Sequence, residues 1–323
     1  MKGVSYAVAK QPLRHLSLNL RLGTRASALA LWQAEWVAAR LHEHGVHVEL
    51  VLLSTHGDRV QQGPIAALDQ QGAFTKELQR ALLAGEIDLA VHSLKDLPTQ
   101  PVEGLSIACV PARGPAADVL VSRDGKSLDQ LAAGAVVGTG SMRRRAQLWR
   151  VRPDLQMRDV RGNVDTRLRK LEEGQYDALV LAEAGLRRLG RDDAISEVLP
   201  ASIMLPAVGQ GALGVETREG DESTRAALAG LHDPATFAAV SAERVLLHEL
   251  RGGCLAPVGA LGFIQDATSQ LSLEAAVLSS DGRRRLFAQS AADANMVEAL
   301  GRQVAQSLLD QGAAELLAAS RLA

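Results

Sequence analysis

His92, Ser93, Lys95 and Asp96 put an imidazole, a hydroxyl, an ammonium and a carboxylate within five residues, and Pro98 follows to stop regular structure. Such a set can hold an anion and move protons, or it can be a solvated turn in which Lys95 and Asp96 neutralise each other. Upstream, Ile87, Leu89 and Val91 alternate with Asp88 and Ala90, a period-two pattern that predicts a half-buried strand. The polar set would then stand at the carboxyl end of that strand, where open α/β sheets place their chemistry.

A second concentration of charge begins at Arg143. Arg143, Arg144, Arg145, Arg150, Arg152, Arg158, Arg161, Arg167, Arg169 and Lys170 are ten basic residues against three acids, Asp154, Asp159 and Asp165. Arg143 and Arg144 fall in the first turn of a predicted helix, where the dipole disfavours a cation by about 0.3 to 1 kcal/mol. A bound anion would reverse that sign. Arg161-Gly-Asn repeats the arrangement at the next strand-to-helix turn, with Arg167 one turn further along. Guanidinium forks grip carboxylate or phosphate with two parallel hydrogen bonds. A solvated charged face accounts for Arg145, Arg150, Arg169 and Lys170 but poorly for Arg143, Arg144 and Arg161.

Three smaller sets each carry two readings. Arg25 and Ser27 precede a helix on which Leu29, Trp32, Trp36 and Ala39 recur at helical spacing; they form an anion site at its N-terminus, or Ser27 is only a cap and Arg25 a loop residue. His42, His44 and His47 resemble metal ligands, yet imidazoles near a helix C-terminus are favoured by the dipole alone, and no metal site is expected. Cys254 stands in Arg251-Gly-Gly-Cys-Leu-Ala-Pro, a permissive loop that leaves the thiol accessible, as a bystander, a nucleophile or an attachment point. Cys109, among apolar neighbours, reads as an inert core thiol.

The elements that must position these residues alternate. Strands are expected at 18–22, 46–53, near 87–91 and at 105–110, with helices between the first three, which implies parallel pairing. After Pro111-Ala-Arg-Gly-Pro the grammar resumes with strands at 135–138, 156–160 and 178–182 and helices at 141–151 and 164–173. A further strand, 212–216, returns to the first unit. Two such lobes enclose a cleft. A helix ending near Leu250, strands near 259–263, 271–278 and 286–290, and a helix from Met296 form a small α+β domain. The chain thus divides into an N-terminal extension (1–16), a first α/β lobe (17–111 and 212–231), a second α/β lobe (112–211) and a C-terminal domain (232–323). Residues 56–73 form a long polar loop without periodicity.

With 323 residues, 47% hydrophobic and 22% charged, the chain has the composition of a soluble globular protein. Aromatics at 3% argue against base stacking, and a net charge of −2 gives no general attraction for polyanions. The lack of a bilayer-length apolar run or a leader h-region, with only two cysteines, fits a reducing cytoplasm.

His92-Ser-Leu-Lys-Asp-Leu-Pro, Gly140-Ser-Met-Arg-Arg, Arg161-Gly-Asn-Val, Pro206-Ala-Val-Gly-Gln-Gly-Ala and Gly252-Gly-Cys, in this order from about Leu18 onward, together resemble the hydroxymethylbilane synthase (porphobilinogen deaminase) family. The resemblance implies two periplasmic-binding-protein-like lobes with mixed, mainly parallel sheets plus a small α+β domain whose cysteine, here Cys254, carries a dipyrromethane cofactor through a thioether. It implies head-to-tail condensation of four porphobilinogen molecules with loss of ammonia, then hydrolytic release of hydroxymethylbilane. Each pyrrole bears an acetate and a propionate. By match, the cofactor is held by Ser93, Lys95, Asp96, Thr139, Ser141, Arg143, Arg144, Arg161 and Gly162, and the substrate by Arg25, Ser27, Arg161, Arg167, Arg188 and Gln210. Asp96 matches the carboxylate that stabilises the cation left by ammonia and shuttles protons.

The resemblance also implies a monomer acting on a small molecule, with no nucleic-acid or membrane partner. The pattern departs in the long loop, where Ala67 and Gln71 stand in place of the usual lysines and Asp69 in place of a small residue. Rival readings are a two-lobed anionic-ligand-binding module without catalysis, which leaves Gly252-Gly-Cys unexplained, and an RNA-binding protein, which the scarcity of aromatics disfavours.

Overall fold

The computed structural model describes residues 18–53, 75–253 and 256–321. In chain order these form β1 (Asn19–Thr24), α1 (Ala28–Glu43), β2 (His47–Leu52), α2 (Lys76–Leu83), β3 (Leu89–Ser93), β4 (Leu105–Cys109), β5 (Asp118–Ser122), β6 (Val136–Gly138), α3 (Met142–Val151), β7 (Gln156–Arg158), α4 (Val164–Glu172), β8 (Ala178–Ala182), α5 (Glu183–Arg188), β9 (Glu197–Leu199), β10 (Leu213–Arg218), α6 (Glu222–Leu228), α7 (Pro234–Glu249), β11 (Val258–Ile264), β12 (Leu271–Leu278), β13 (Arg285–Ala292), α8 (Val297–Asp310) and α9 (Ala313–Ser320).

The same construction occurs twice. One five-stranded sheet runs β2-β1-β3-β10-β4 and the other β7-β6-β8-β5-β9. In each, the strands linked through helices pair in parallel, whereas strands arriving from elsewhere pair antiparallel: β10 against β3 and β4, β5 against β8 and β9. Both sheets are therefore mixed. In the first, Leu89 and Val91 of β3 pack with Ala34 and Val37 of α1, while Ala90 packs with Leu78 and Leu82 of α2 on the opposite face. In the second, Val180 packs with Leu148 of α3 and Leu179 with Leu168 of α4. A three-stranded antiparallel sheet, β11-β12-β13, packs against α7, α8 and α9 around a third core.

Burial on both faces corrects the expectation for β3. It is not a half-buried strand: Leu89, Ala90, Val91 and His92 are all buried, because the strand is central and flanked by helices. His92 therefore belongs to the core, 5% exposed, with Nε2 hydrogen-bonded to Glu216 of β10 at 3.1 Å. Gln79 of α2 donates to the other oxygen of Glu216 at 3.0 Å. The polar turn beyond the strand is a short 3₁₀ segment, Leu94–Asp96. The expected core face of α1 also shifts. Gln33, Ala34, Val37, Ala38 and Leu41 are buried, while Leu29, Trp32 and Trp36 are only half-buried and Ala39 is exposed.

The lobes are joined where residues 110–117 run beside 206–212, with the Gly114 N–H donating to the Gly211 carbonyl at 3.2 Å. Gly211 has φ +87°, and a Cβ there would lie 2.6 Å from the Gly114 oxygen, so only glycine fits. Arg113 locks this junction to the third domain. Its guanidinium donates to the Gln210 carbonyl and pairs with Glu243 of α7 at 2.6 Å, and the Glu243 oxygens also accept the N–H groups of Gly209 and Gly262. A fully buried carboxylate with four donors is satisfied, and removing either partner would strand a charge.

Candidate active site

Three parts of the fold meet around Lys95 and Asp96. From the first lobe come the 3₁₀ turn after β3 and Ser93, whose hydroxyl accepts from Gln33 Nε2 at 2.8 Å. The junction contributes Gln210, which accepts from Lys95 Nζ at 3.4 Å and donates to Asp118 at 3.0 Å. The second lobe supplies the starts of α3 and α4. Ser141 caps α3 and Asn163 caps α4, each side chain accepting a backbone N–H three residues on. Ser27 caps α1 in the same way, so its hydroxyl has that structural role whatever else it touches. Thr139 is buried and its hydroxyl accepts from the Ser141 N–H at 3.2 Å.

The arginines at the start of α3 are answered from within the chain. Arg143 donates to Asp118 at 2.7 Å and to the Leu205 carbonyl at 2.6 Å, while Arg144 reaches the other Asp118 oxygen at 2.7 Å and the Val180 carbonyl at 3.0 Å. All three are buried. Burial alone would push the Asp118 carboxyl up, but Arg143 and Arg144 outweigh it and hold the group far below the usual carboxylate range. Sequence reasoning did not find Asp118. Its available signal was the apolar run that follows it, Val119-Leu-Val, which marks β5 with a carboxylate at its first position.

Arg167 and Arg188 meet a backbone carbonyl rather than a carboxylate among the described residues. Arg167 Nε donates to the Gly162 carbonyl at 2.8 Å, and Arg188 Nη2 donates to the Gly211 carbonyl at 2.6 Å; neither forms a salt bridge among the described residues. Burial pushes both guanidinium groups down to about 10, with Arg144 adding repulsion at Arg167. Gly162, with φ +110°, turns the backbone so that its carbonyl meets Arg167. Lys95 is half-buried with its ammonium enclosed. Burial lowers it to about 8, Arg144 and Arg143 push the same way, and Asp96 and Asp118 offset only part of this. Arg25 and Arg161 are half-buried and Asp96 is exposed. Asp96 lies within electrostatic reach of both Lys95 and Arg167, which brings the two lobes' groups to one place.

A cleft with desolvated cations in excess of its carboxylates is stabilised by a polyanionic ligand. Lys95 makes this testable through pH. Below pH 8 the protein carries the full cost of the enclosed ammonium; between about pH 8 and 10.5 the folded form discharges while the unfolded chain stays protonated, so the cost disappears. Lys95→Met is therefore expected to raise the melting temperature of cofactor-free protein at pH 7, with the advantage shrinking as pH rises through that window. A pH-independent difference in thermal denaturation would contradict it.

The remaining sequence candidates fall elsewhere. His42 stacks on His47 with centroids 5.6 Å apart and accepts the Val48 N–H, and no group of metal-ligating side chains occurs among the described residues. Cys109 is fully buried, and burial pushes its thiol up to about 12, an inert core group as expected. Cys254, the N-terminal extension and the long loop with Ala67, Asp69 and Gln71 lie outside the described residues. No described helix is long and apolar enough to cross a membrane.

The fold is that of a two-lobed α/β protein with a small third domain, and charged groups of both lobes gather about Lys95 and Asp96. Residues 20–226 match the family described as porphobilinogen deaminase, dipyromethane cofactor binding domain, and residues 237–310 match porphobilinogen deaminase, C-terminal domain. The porphobilinogen deaminase of Desulforudis audaxviator is 51% identical over 302 residues, covering 93% of this chain and 97% of that protein. That of Pelotomaculum thermopropionicum is 48% identical over 305 residues, covering 94% and 97%. A TRAP periplasmic solute binding protein from Desulfovibrio salexigens aligns over 67% of this chain and 72% of its own with TM-score 0.41 and 11% identity. The chain belongs to the porphobilinogen deaminase family. Its activity is that of a hydroxymethylbilane synthase, a transferase of tetrapyrrole biosynthesis that takes porphobilinogen as substrate and uses a dipyrromethane cofactor.

Proposed function

We propose that the pyrrole chain is built in the cleft between residues 17–111 with 212–231 and residues 112–211, on a cofactor tethered to Cys254 of the 232–323 domain. The observation that carries this reading is the set of cations, Lys95, Arg167 and Arg188, that burial disfavours and that the carboxylates of the described residues leave under-compensated. Acetate and propionate groups would supply the missing charge, so the donor set fits a dipyrromethane. When bound, that group supplies a nucleophilic pyrrole carbon and a covalent tether.

The chain's own residues divide the remaining work. Lys95, Arg143, Arg144 and Arg161, with Ser93, Thr139, Ser141 and Gly162, hold cofactor carboxylates. Arg143 and Arg144 do so from a frame that Asp118 keeps rigid. Arg25, Ser27, Arg161, Arg167, Arg188 and Gln210 orient porphobilinogen. The Asp96 carboxylate stands at the reacting ring, opposes the positive charge that develops as ammonia leaves, and takes and returns the pyrrole proton. The protein works as a cytoplasmic monomer.

Cys254→Ser is expected to abolish hydroxymethylbilane formation from porphobilinogen, whereas Cys109→Ala is expected to keep it, since Cys109 is only packing. A Cys254→Ser protein that turns over at the wild-type rate would overturn the assignment of the tether.

A further inference from the structure

Leu29 and Trp32 lie on the side of α1 that the first lobe does not bury. They face the second lobe instead. The Arg188 guanidinium carbon lies 5.6 Å from the centre of the Trp32 ring, and a Cβ on Gly185 would stand 3.9 Å from Leu29 Cδ2. Gly185 and Arg188 belong to α5, which continues directly from β8 of the second sheet. Arg188 also donates to Gly211 at the junction, so one guanidinium touches the first lobe, the second lobe and the connection between them.

Two facts make the indole more than packing. Arg188 has no carboxylate partner among the described residues, so the negative face of the Trp32 ring and one carbonyl are what opposes its charge there. A ring face can also restrain a planar guanidinium without using up its N–H donors, which a carboxylate cannot do. A side chain held in this way keeps its fork available.

We propose that Trp32 is a positioning residue for the condensation reaction: its ring holds the Arg188 guanidinium across the cleft in the orientation that receives a porphobilinogen carboxylate. The proposal rests on the reading of Arg188 as a substrate-binding residue. Trp32 acts through Arg188, so its loss costs substrate capture rather than the bond-making step.

The test is a double-mutant cycle with Trp32→Leu, Arg188→Leu and the pair, measuring kcat and KM for porphobilinogen on protein whose intact mass shows the cofactor loaded. Trp32→Leu is expected to raise KM about threefold to thirtyfold with kcat within about twofold, and to raise it no further in the Arg188→Leu background. Trp32→Phe, which keeps a ring face, is expected to recover most of the loss and decides the matter if the leucine variant does not load. Arg188→Leu raising KM while both Trp32 variants leave it unchanged, or equal factors for Trp32→Leu in both backgrounds, would overturn the role of Trp32 alone. An unchanged KM in Arg188→Leu would overturn the substrate-binding reading beneath it.

Discussion

Asp96→Asn is expected to yield a folded, cofactor-bearing protein whose turnover falls by about 10²- to 10⁴-fold, the usual range for losing a positioned acid-base group. Asparagine preserves the shape of the side chain, and Asp96 is exposed at the end of a short 3₁₀ turn, so folding has little to lose. What disappears is the charge. An amide can neither oppose the cation left when ammonia departs nor accept a proton at the reacting ring. The substitution also removes an attraction that favours the Lys95 ammonium, so some weakening of carboxylate binding accompanies the kinetic loss. Steady-state kinetics on mass-verified protein checks this: kcat falls by orders of magnitude, and any rise in KM is small beside that loss. Turnover within about tenfold of the wild type would remove Asp96 from the chemistry.

Asp118→Ala is expected to be the most damaging substitution for stability, at about 3 to 5 kcal/mol, because it leaves buried charge without its partner. Two guanidinium groups, 4% and 7% exposed, would then face each other across the vacated space, and Gln210 would lose one of its acceptors. Carbonyls of Leu205 and Val180 remain for Arg143 and Arg144, but neither carries a full charge. Asp118→Asn, which keeps an acceptor oxygen, is expected to lose less. The gap between wild type and Asp118→Asn should hold steady above the ordinary carboxylate pKa of 3.8 and narrow as pH falls below it, since the folded-state value is depressed. Urea denaturation at pH 7 and at acid pH measures both. A midpoint unchanged by Asp118→Ala would contradict the account of the arginine frame.

The legible parts of this chain are those whose cause is local. The Ser27 cap of α1 and the strand at 178–182 follow from neighbouring residues and appear where the pattern puts them, whereas the alternation before Lys95 marks a strand that the fold buries on both faces. Causes distant in sequence were not legible. His92 reads as part of a polar loop because its partner, Glu216, is 124 residues away. Arg143 and Arg144 read as an unanswered anion site because Asp118 belongs to a strand hidden in an Ala- and Pro-rich crossing. Arg113, which ties the junction to the third domain through Glu243, gives no local sign of its partner 130 residues on. The apolar face of α1 was misplaced for another reason: Leu29 and Trp32 are apolar because they meet the second lobe, and periodicity cannot distinguish one neighbour from another. Helix propensity and strand alternation thus placed most of the elements but not β5, β9, α5 or α6, and the division of charge between frame and ligand needed the tertiary contacts.

The most direct test of the central claim, that a polycarboxylate chain is held in this cleft by a tether at Cys254, is the intact mass of the purified wild type beside Cys254→Ser, each before and after brief exposure to porphobilinogen. The account predicts a wild-type mass raised by one dipyrromethane, a ladder of further additions of one pyrrole each on exposure, and neither in Cys254→Ser. An unmodified wild type, or an adduct that survives Cys254→Ser, would contradict it.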